Sequence, residues 1–306
     1  MPGRYAEAST KGSSSMTIVE GPLVTESSQV QVDLGGLSHR GKVRANNEDH
    51  FLAVRFERSM QTIVTNLTDG SIPERSTETA YGMVVADGMG GAAGGEVASR
   101  TAIHALVDLF LRTPSWIMRL DEQQIEKFER RMEQRFQKIT ESLAELAEGN
   151  PQLFGMGTTM TFAATLGDDI LIAHVGDSRA YLFRDGRLNR LTRDHTVAQA
   201  LVADGLIDAS QAAQHHLRHA LTNVLGGQGA RVEVDFNELR LHNGDAILLA
   251  TDGLTDMVSD AAISEVLARP GSADAACRAL VDLALDAGGK DNVTVIVSRY
   301  QLPETA

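Results

Sequence analysis

The sequence is poor in cysteine and lacks long apolar segments. Cys277 is the single cysteine among 306 residues, so no disulfide can form within the chain, which suits a reducing compartment. No apolar run approaches the length of a membrane span, and the first residues lack the charged-then-apolar pattern of a signal peptide. We therefore expect a soluble cytoplasmic protein.

Basic residues are scarce relative to acidic ones. The chain carries 28 Lys and Arg against 41 Asp and Glu, a formal net charge of −13. This balance disfavours nucleic acid or an anionic membrane surface as the main partner. The sequence also shows no internal repeat or coiled-coil heptad, and we expect a monomer.

The pattern of composition predicts one long domain preceded by a tail. Residues 1–30 are rich in Ser, Thr and Gly and predict a flexible segment. Candidate ligands described below extend from Glu48 to Asp291, so neither half of the chain could form the site alone. We expect a single domain over residues 31–301, followed by a short tail at 302–306.

Apolar periodicity predicts both strands and helices. Residues 122–148 predict a long amphipathic helix, whose apolar stripe is more typical of a face packed on a sheet than of a partner surface. Residues 57–80 are interpreted as a polar connection without an assigned function. The strands predicted at 159–166, 169–175 and 179–184 are consistent with an antiparallel meander. The remaining elements are strands near 31–36, 50–56, 231–241, 246–251 and 293–297, and helices near 261–269 and 272–287.

Carboxylates stand at the ends of several predicted strands. Two apolar runs end in Asp87-Gly88 and Asp252-Gly253, and Asp291 precedes a β-branched run. Each of these, taken alone, is more typical of a turn. The glycine-rich segment 87–95, however, opens directly into a helical pattern and has more glycine than a turn needs. This indicates backbone that approaches a ligand or ion closely.

A further acidic segment begins with an arginine. Residues 44–49 combine Arg44 with Glu48 and Asp49, and alone could be a solvated face. Carboxylates are hard oxygen ligands suited to Mg²⁺ or Mn²⁺, and a guanidinium binds a phosphoryl group bidentately. Together with the strand-end acids, this combination predicts a divalent-metal phosphate site.

The ordered motifs resemble those of the metal-dependent protein Ser/Thr phosphatases of the protein phosphatase 2C (PPM) type. The resemblance covers about residues 34–299 and is closest to bacterial members, including a flap region at about 194–219. Any one motif is weak, whereas five in the right order are specific. The five motifs are Asp87-Gly88-Met89-Gly90-Gly91, Gly157-Thr158-Thr159, Gly176-Asp177-Ser178-Arg179, Thr251-Asp252-Gly253 and Asp291-Asn292. The segment Arg44–Asp49 is in addition similar to the first motif of that family.

The resemblance implies both a fold and a reaction. The fold is α+β, a four-layer α-β-β-α sandwich with two antiparallel β-sheets flanked by helix pairs. The reaction is metal-dependent hydrolysis of phosphoserine and phosphothreonine in proteins, which reverses Ser/Thr kinase signalling. Partners would be phosphorylated proteins, including Ser/Thr kinases and their substrates.

The same resemblance implies a metal centre with two core Mn²⁺ or Mg²⁺ ions. Asp87 would bridge the ions, the Gly88 carbonyl would join at the second, and Asp252 and Asp291 would complete the first. A water between the two ions would have a lowered pKa and attack the phosphate. Arg44 would hold that phosphate in line.

Three further acids have supporting roles in this scheme. Asp49 and Glu48 would hold water around the ions, with direct ligation by Glu48 as an alternative. Asp177 resembles the acid that supports a third, weaker ion, and its alternative is a simple turn between strands.

The chain departs from the family pattern near the substrate. Met89 stands where animal members carry a histidine, so that histidine general acid is absent, as in many bacterial members. Asn223 occupies a position that usually holds arginine, and the segment 215–219 lacks the usual proline and asparagine. The histidines show no metal-binding spacing with an acid, and most are expected on the surface or in the flap.

Two other classes of function remain open from the sequence. One is a catalytically weak member that binds phosphoproteins or acts as a sensor, although every core acid and Arg44 are present. The other is a phosphatase of small molecules or of anti-sigma partners within the same fold. Attached sensor domains would favour the latter, and none is visible in the sequence.

Overall fold

The computed structural model describes residues 30–68, 71–90, 94–112, 122–227 and 231–302. The predicted N-terminal tail, apart from residue 30, and residues 303–306 of the predicted C-terminal tail lie outside these ranges. Contacts divide the chain into two units, one of which contains Ser28–Arg58 and Glu78–Ala306, while Ser59–Thr77 belongs to the other. Among the described residues, no helix is long and apolar enough to span a membrane.

Twelve strands and seven α-helices make up the described chain. The strands are β1 Gln31–His39, β2 Asp49–Gln61, β3 Arg75–Met89, β4 Gly157–Thr158, β5 Met160–Leu166, β6 Asp169–Val175, β7 Arg179–Arg184, β8 Arg187–Arg190, β9 Leu225–Gly226, β10 Asp235–Arg240, β11 Ala246–Ala250 and β12 Val293–Gln301. The helices are α1 Gly94–Leu111, α2 Glu122–Glu148, α3 Val197–Ala203, α4 Ala209–Ala213, α5 Asp252–Thr255, α6 Asp260–Ala268 and α7 Ala273–Asp286.

These strands form two sheets in the larger unit. One has the order β1-β12-β11-β7-β8, and the other has the order β10-β6-β5-β3-β4-β9 with β2 paired to β3. Helices α1 and α2 pack on the second sheet, whereas α5, α6 and α7 pack on the first. A third apolar cluster lies between the sheets. The predicted α-β-β-α sandwich with antiparallel sheets is confirmed.

Alternation along the central strands explains this layering. In β3, Val84 and Ala86 pack with the helices of their own sheet, whereas Met83 and Val85 face the other sheet. Successive side chains in a strand point to opposite faces, so a strand covered on both sides is apolar throughout. The sequence shows such continuous apolar runs directly before both Asp-Gly pairs.

The predicted meander over residues 159–184 is wrong. Strands β5 and β6 pair in one sheet, but β7 pairs with β11 in the other. The chain crosses between sheets at Gly176, whose φ of 111° is in the range that favours glycine. Alternating hydrophobicity identifies these strands but carries no information about which sheet each one joins.

The polar connection predicted over residues 57–80 is also wrong in part. Strand β2 continues to Gln61, and β3 begins at Arg75, so polar residues at both ends of the segment are β-structure. Near the tip, the amide of Thr62 donates to the carbonyl of Glu74 at 2.9 Å. The side chains here are mostly exposed, and an exposed strand lacks the apolar alternation that identifies a strand in a sequence.

Candidate metal centre

Backbone hydrogen bonds hold Asp87 in place. Its amide donates to Thr159 Oγ1 at 3.0 Å, and its carbonyl accepts from the Thr159 amide at 2.9 Å and the Thr158 hydroxyl at 2.8 Å. These bonds extend β3 through Met89, so Asp87 lies within the strand and not at its end, as the sequence had suggested. These bonds therefore fix the backbone from which the Asp87 carboxylate projects.

Asp252 lies at the junction between β11 and α5. The Thr251 amide donates to the Thr294 carbonyl at 3.0 Å, and the Thr294 amide donates back to Thr251 Oγ1 at 3.0 Å. Asp252 is then the first residue of α5. Since Thr294 belongs to β12, this pair of bonds aligns the end of β11 with the start of β12, near Asp291.

The structure brings together five acids that the sequence singled out. Burial, and then the charges of Asp49, Asp252, Asp177 and Asp291, raise the pKa of Asp87 well above its ordinary value. Burial is also the main cause that raises the pKa of Asp49 to about 7 and that of Asp252 to about 6. Like charges in a low-dielectric site disfavour ionisation. A divalent cation among these carboxylates would remove that repulsion.

Two carboxylate oxygens of this cluster are buried without a hydrogen bond. Asp49 Oδ2 accepts from the Thr251 hydroxyl at 2.8 Å, but Asp49 Oδ1 and Asp252 Oδ1 have no partner among the described residues. A buried acceptor without a partner costs about 1–3 kcal/mol. A hard divalent cation such as Mg²⁺ or Mn²⁺ fits this all-oxygen donor set.

Arg44 and Asp291 lie at the solvent-facing side of the cluster. Arg44 Nη2 donates to Asp291 Oδ2 at 2.6 Å, and the two side chains are 54% and 34% exposed. This hydrogen bond, offset in part by desolvation, raises the pKa of Arg44. Arg44 therefore remains charged and accessible, as a group that binds phosphate must be.

Asn292 organises the segment that carries Arg44 and Glu48. Its side-chain amide donates to the carbonyls of Arg40 at 2.9 Å and Asn46 at 2.8 Å, and its Oδ1 accepts from the Glu48 amide at 2.7 Å. Three bonds from one side chain thus tie this segment to the start of β12. The sequence contained the Asp291-Asn292 motif, but it gave no signal for this role of Asn292.

The glycines of the predicted ligand loop allow two backbones to approach. A Cβ at Gly88 would lie 2.0 Å from the Gly95 carbonyl oxygen, and one at Gly95 would lie 2.7 Å from Glu48 Oε2. Glycine at both positions therefore lets the start of α1 pack against β3 beside Glu48. Burial raises the pKa of Glu48. Residues 91–93 of this loop lie outside the described ranges.

The segment predicted as the flap begins beside Asp177. Asp177 is buried, and burial and then the Asp252 charge raise its pKa well above the ordinary value. Arg179 donates two hydrogen bonds to Asp194, at 3.1 and 2.8 Å, which anchors the start of the segment. Its end returns through a bridge between Thr196 and Leu221.

His219 of this segment is a site residue that the sequence did not identify. One ligand atom each from Asp177, His219 and Asp252 lies within 4.8 Å of the others. His219 Nε2 also lies 3.3 Å from Asp256 Oδ2. His219 is an exposed flap residue, as expected for most of the histidines, but spacing along the chain could not show that the flap brings it beside these two acids.

Two histidines with adjacent rings lie at the base of the flap. The rings of His174 and His195 are 4.9 Å apart, and His174 bonds Thr161 Oγ1 at 2.9 Å and the Arg193 carbonyl at 3.1 Å. His195 Nδ1 lies 3.2 Å from the Gly176 amide and 3.0 Å from Asn223 Nδ2. This network joins the base of the flap to the end of β6, next to Asp177.

Burial of His174 predicts a loss of stability in acid. Burial, and then the neighbouring His195, lower the pKa of His174 to about 4, so the folded state holds it neutral. An unfolded histidine titrates near 6.5, so the unfolded state gains the proton first as the pH falls. Stability should therefore fall between pH 6.5 and 4, by about 3 kcal/mol in total from this group. Urea unfolding of the wild type and His174→Gln across this range measures it; parallel pH profiles would contradict the assignment.

Comparison with known proteins agrees with the fold and the motifs. The profile of the family described as Protein phosphatase 2C matches residues 71–282. The chain is 37% identical over 261 residues to the serine/threonine protein phosphatase PstP of Mycobacterium tuberculosis, covering 85% of this chain but 43% of PstP. It is 32% identical to the serine/threonine phosphatase stp of Listeria innocua, covering 86% of this chain and 94% of that protein.

Solved structures show the same architecture. The M. tuberculosis PstP structure has a TM-score of 0.70 at 34% identity, with 88% of this chain and 99% of that one covered. The PstP catalytic domain in complex with two manganese ions has a TM-score of 0.68 at 33% identity, with 89% and 99% covered. The fold is thus that of the phosphatases in these comparisons. The chain belongs to the protein phosphatase 2C family.

Proposed function

We propose that this chain hydrolyses phosphoserine and phosphothreonine in proteins with the help of Mn²⁺ or Mg²⁺. The observation that carries the proposal is the cluster of Asp49, Asp87, Asp177, Asp252 and Asp291, with buried oxygens that lack a partner among the described residues. Relatives named as serine/threonine phosphatases, one of them solved with two manganese ions, support it.

In this proposal Asp87, the Gly88 carbonyl, Asp252 and Asp291 hold two divalent ions. The ions supply Lewis-acid activation of water and of the phosphoryl group. Asp49 and Glu48 orient water beside them, with Asp49 itself held by the Thr251 hydroxyl. Asp177 supports a third, weaker ion.

Arg44 is assigned to the phosphoryl group of the substrate. Its guanidinium binds Asp291 in the present structure. A cation on Asp291 would compete with Arg44 for the same carboxylate and leave the guanidinium available to bind phosphate. Its fork of donors matches two phosphate oxygens and would hold the phosphorus in line with the attacking water.

We further propose a single phosphatase domain over residues 31–301 that acts in the cytoplasm on phosphoproteins, including Ser/Thr kinases and their substrates. The buried free thiol of Cys277 suits a reducing compartment. The net charge of −13 favours protein partners over nucleic acid. A monomer suffices for this site, because every assigned residue comes from one chain.

Phosphate release from phosphothreonine peptides tests the function. The full chain, stripped of metal with EDTA and dialysed, should be inactive, and Mn²⁺ or Mg²⁺ should restore turnover. A phosphotyrosine peptide of the same sequence is the matched control and should be a poorer substrate. Robust turnover by the metal-stripped protein would contradict the mechanism, and peptide binding without turnover in Mn²⁺ would favour a binding module.

A further inference from the structure

We propose that His219 is a cation ligand contributed by the flap, beside Asp177 and Asp252. The imidazole would make this position select a transition-metal ion such as Mn²⁺ over Mg²⁺, and cation binding would hold the flap against α5. The inference rests on the proposed metal-dependent function. It goes beyond that function in assigning a nitrogen ligand, a metal preference and a link to the flap.

The distances support this assignment. Ligand atoms of Asp177, His219 and Asp252 lie within 4.8 Å of one another. Ligands at about 2.1 Å from one ion lie at most about 4.2 Å apart, so a small side-chain rotation suffices. His219 is 43% exposed and can make that rotation, whereas Asp177 is buried and fixed.

Unmet bonding capacity at Asp252 also fits a cation at this position. Its Oδ1 is buried and has no hydrogen-bond partner among the described residues. The core ions and the His219 position share this residue, so one carboxylate could serve both.

Asp256 lies in position to support a histidine ligand. Its Oδ2 is 3.3 Å from His219 Nε2. A ligating histidine generally donates its second ring N–H to a carboxylate or carbonyl, which fixes the tautomer and the ring. In the tautomer with Nε2–H directed to Asp256, Nδ1 would be the nitrogen left for a cation.

The chemistry of imidazole predicts the metal preference. Mg²⁺ prefers oxygen ligands and retains its water, whereas imidazole binds first-row transition metals more readily. Removing the imidazole should therefore weaken the binding of Mn²⁺ at this position more than that of Mg²⁺.

Two other contacts anchor the flap and do not involve His219. They are the ion pair between Arg179 and Asp194 and the bridge between Thr196 and Leu221.

Titration of the metal-stripped full chain with Mn²⁺, followed by the electron paramagnetic resonance of free Mn²⁺, tests the proposal. His219→Ala should weaken the weakest Mn²⁺ site at least about tenfold and leave the two tighter sites unchanged. The matched control is His216→Ala, a neighbouring flap histidine that stacks on His215 at 4.5 Å. It should behave as the wild type.

Two further measurements complete the test. Calorimetric titration with Mg²⁺ should differ less than threefold between the wild type and His219→Ala. Saturating Mn²⁺ should slow amide hydrogen exchange over residues 209–222 in the wild type but not in His219→Ala. An unchanged weakest Mn²⁺ site would overturn the ligand role, and equal losses for both metals would overturn the selectivity. If the wild type does not hydrolyse the phosphopeptide, the proposed function is contradicted, whereas the Mn²⁺ titrations still decide whether His219 is a ligand.

Discussion

Asp87→Asn should abolish turnover while making the metal-free protein more stable. The amide keeps the size of the side chain but removes a charge that would help to hold the ions. The loss of several kcal/mol of transition-state stabilisation by the metal ions should lower kcat at least about 10³-fold. Phosphate release from a phosphothreonine peptide in saturating Mn²⁺ measures this.

The gain in stability has its origin in the repulsion among the acids. Burial and four neighbouring carboxylates raise the pKa of Asp87, so its charge opposes folding when no cation is bound. The metal-free Asp87→Asn variant should melt above the metal-free wild type, by about 2–4 °C for each kcal/mol relieved. Added Mn²⁺ should raise the Tm of the wild type more than that of the variant.

Asp282→Asn is the matched control for both measurements. Asp282 is exposed on α7, so the substitution changes the net charge equally without entering the cluster. Its turnover and Tm should equal those of the wild type. Asp87→Asn turnover within tenfold of the wild type would show that Asp87 does not bridge the ions.

The sequence identified the acids because local patterns carry them. Buried strands are apolar on both faces, so the runs before Asp87 and Asp252 were visible, and so was the β-branched run after Asp291. The structure places these acids together because their strands lie centrally in two packed sheets. The order of the strands in each sheet was not visible, which is why the assignment of β7 to a meander was wrong.

Residues that act through long-range contacts could not be predicted from spacing. His219 is far from both Asp177 and Asp252 along the chain, and only the return of the flap brings the three together. Asn292 also acts through long-range contacts, because its hydrogen-bond partners Arg40, Asn46 and Glu48 lie more than 240 positions away along the chain. A motif shows that such a residue is present, whereas its bonds require the fold.

The exposed arms of β2 and β3 illustrate the other limit. Apolar alternation indicates a strand only where one face is buried. Side chains from Glu57 to Gln61 are exposed in β2, so backbone pairing, which the sequence pattern does not record, defines the strand there. The polar segment therefore resembled a loop.

Arg44→Ala should lower kcat/KM for phosphopeptides by about 10–100-fold, because a hydrogen-bonded charge contributes about 1.5–3 kcal/mol. Mn²⁺ affinity should be unchanged or slightly tighter, since Asp291 would lose its 2.6 Å partner and face the cation alone. Inorganic phosphate should inhibit the variant less strongly than the wild type.

Arg44→Lys should restore little of this loss, because an ammonium is a point charge and lacks the fork of donors that binds two phosphate oxygens. Arg278→Ala on α7, where Arg278 pairs with Asp274 on the surface, controls for the change in net charge and should leave kinetics unaltered. Steady-state kinetics and calorimetry with Mn²⁺ separate the two roles. A parallel fall in Mn²⁺ affinity and kcat/KM would make Arg44 a structural partner of the acids, whereas a fall in kcat/KM alone assigns it to the phosphate.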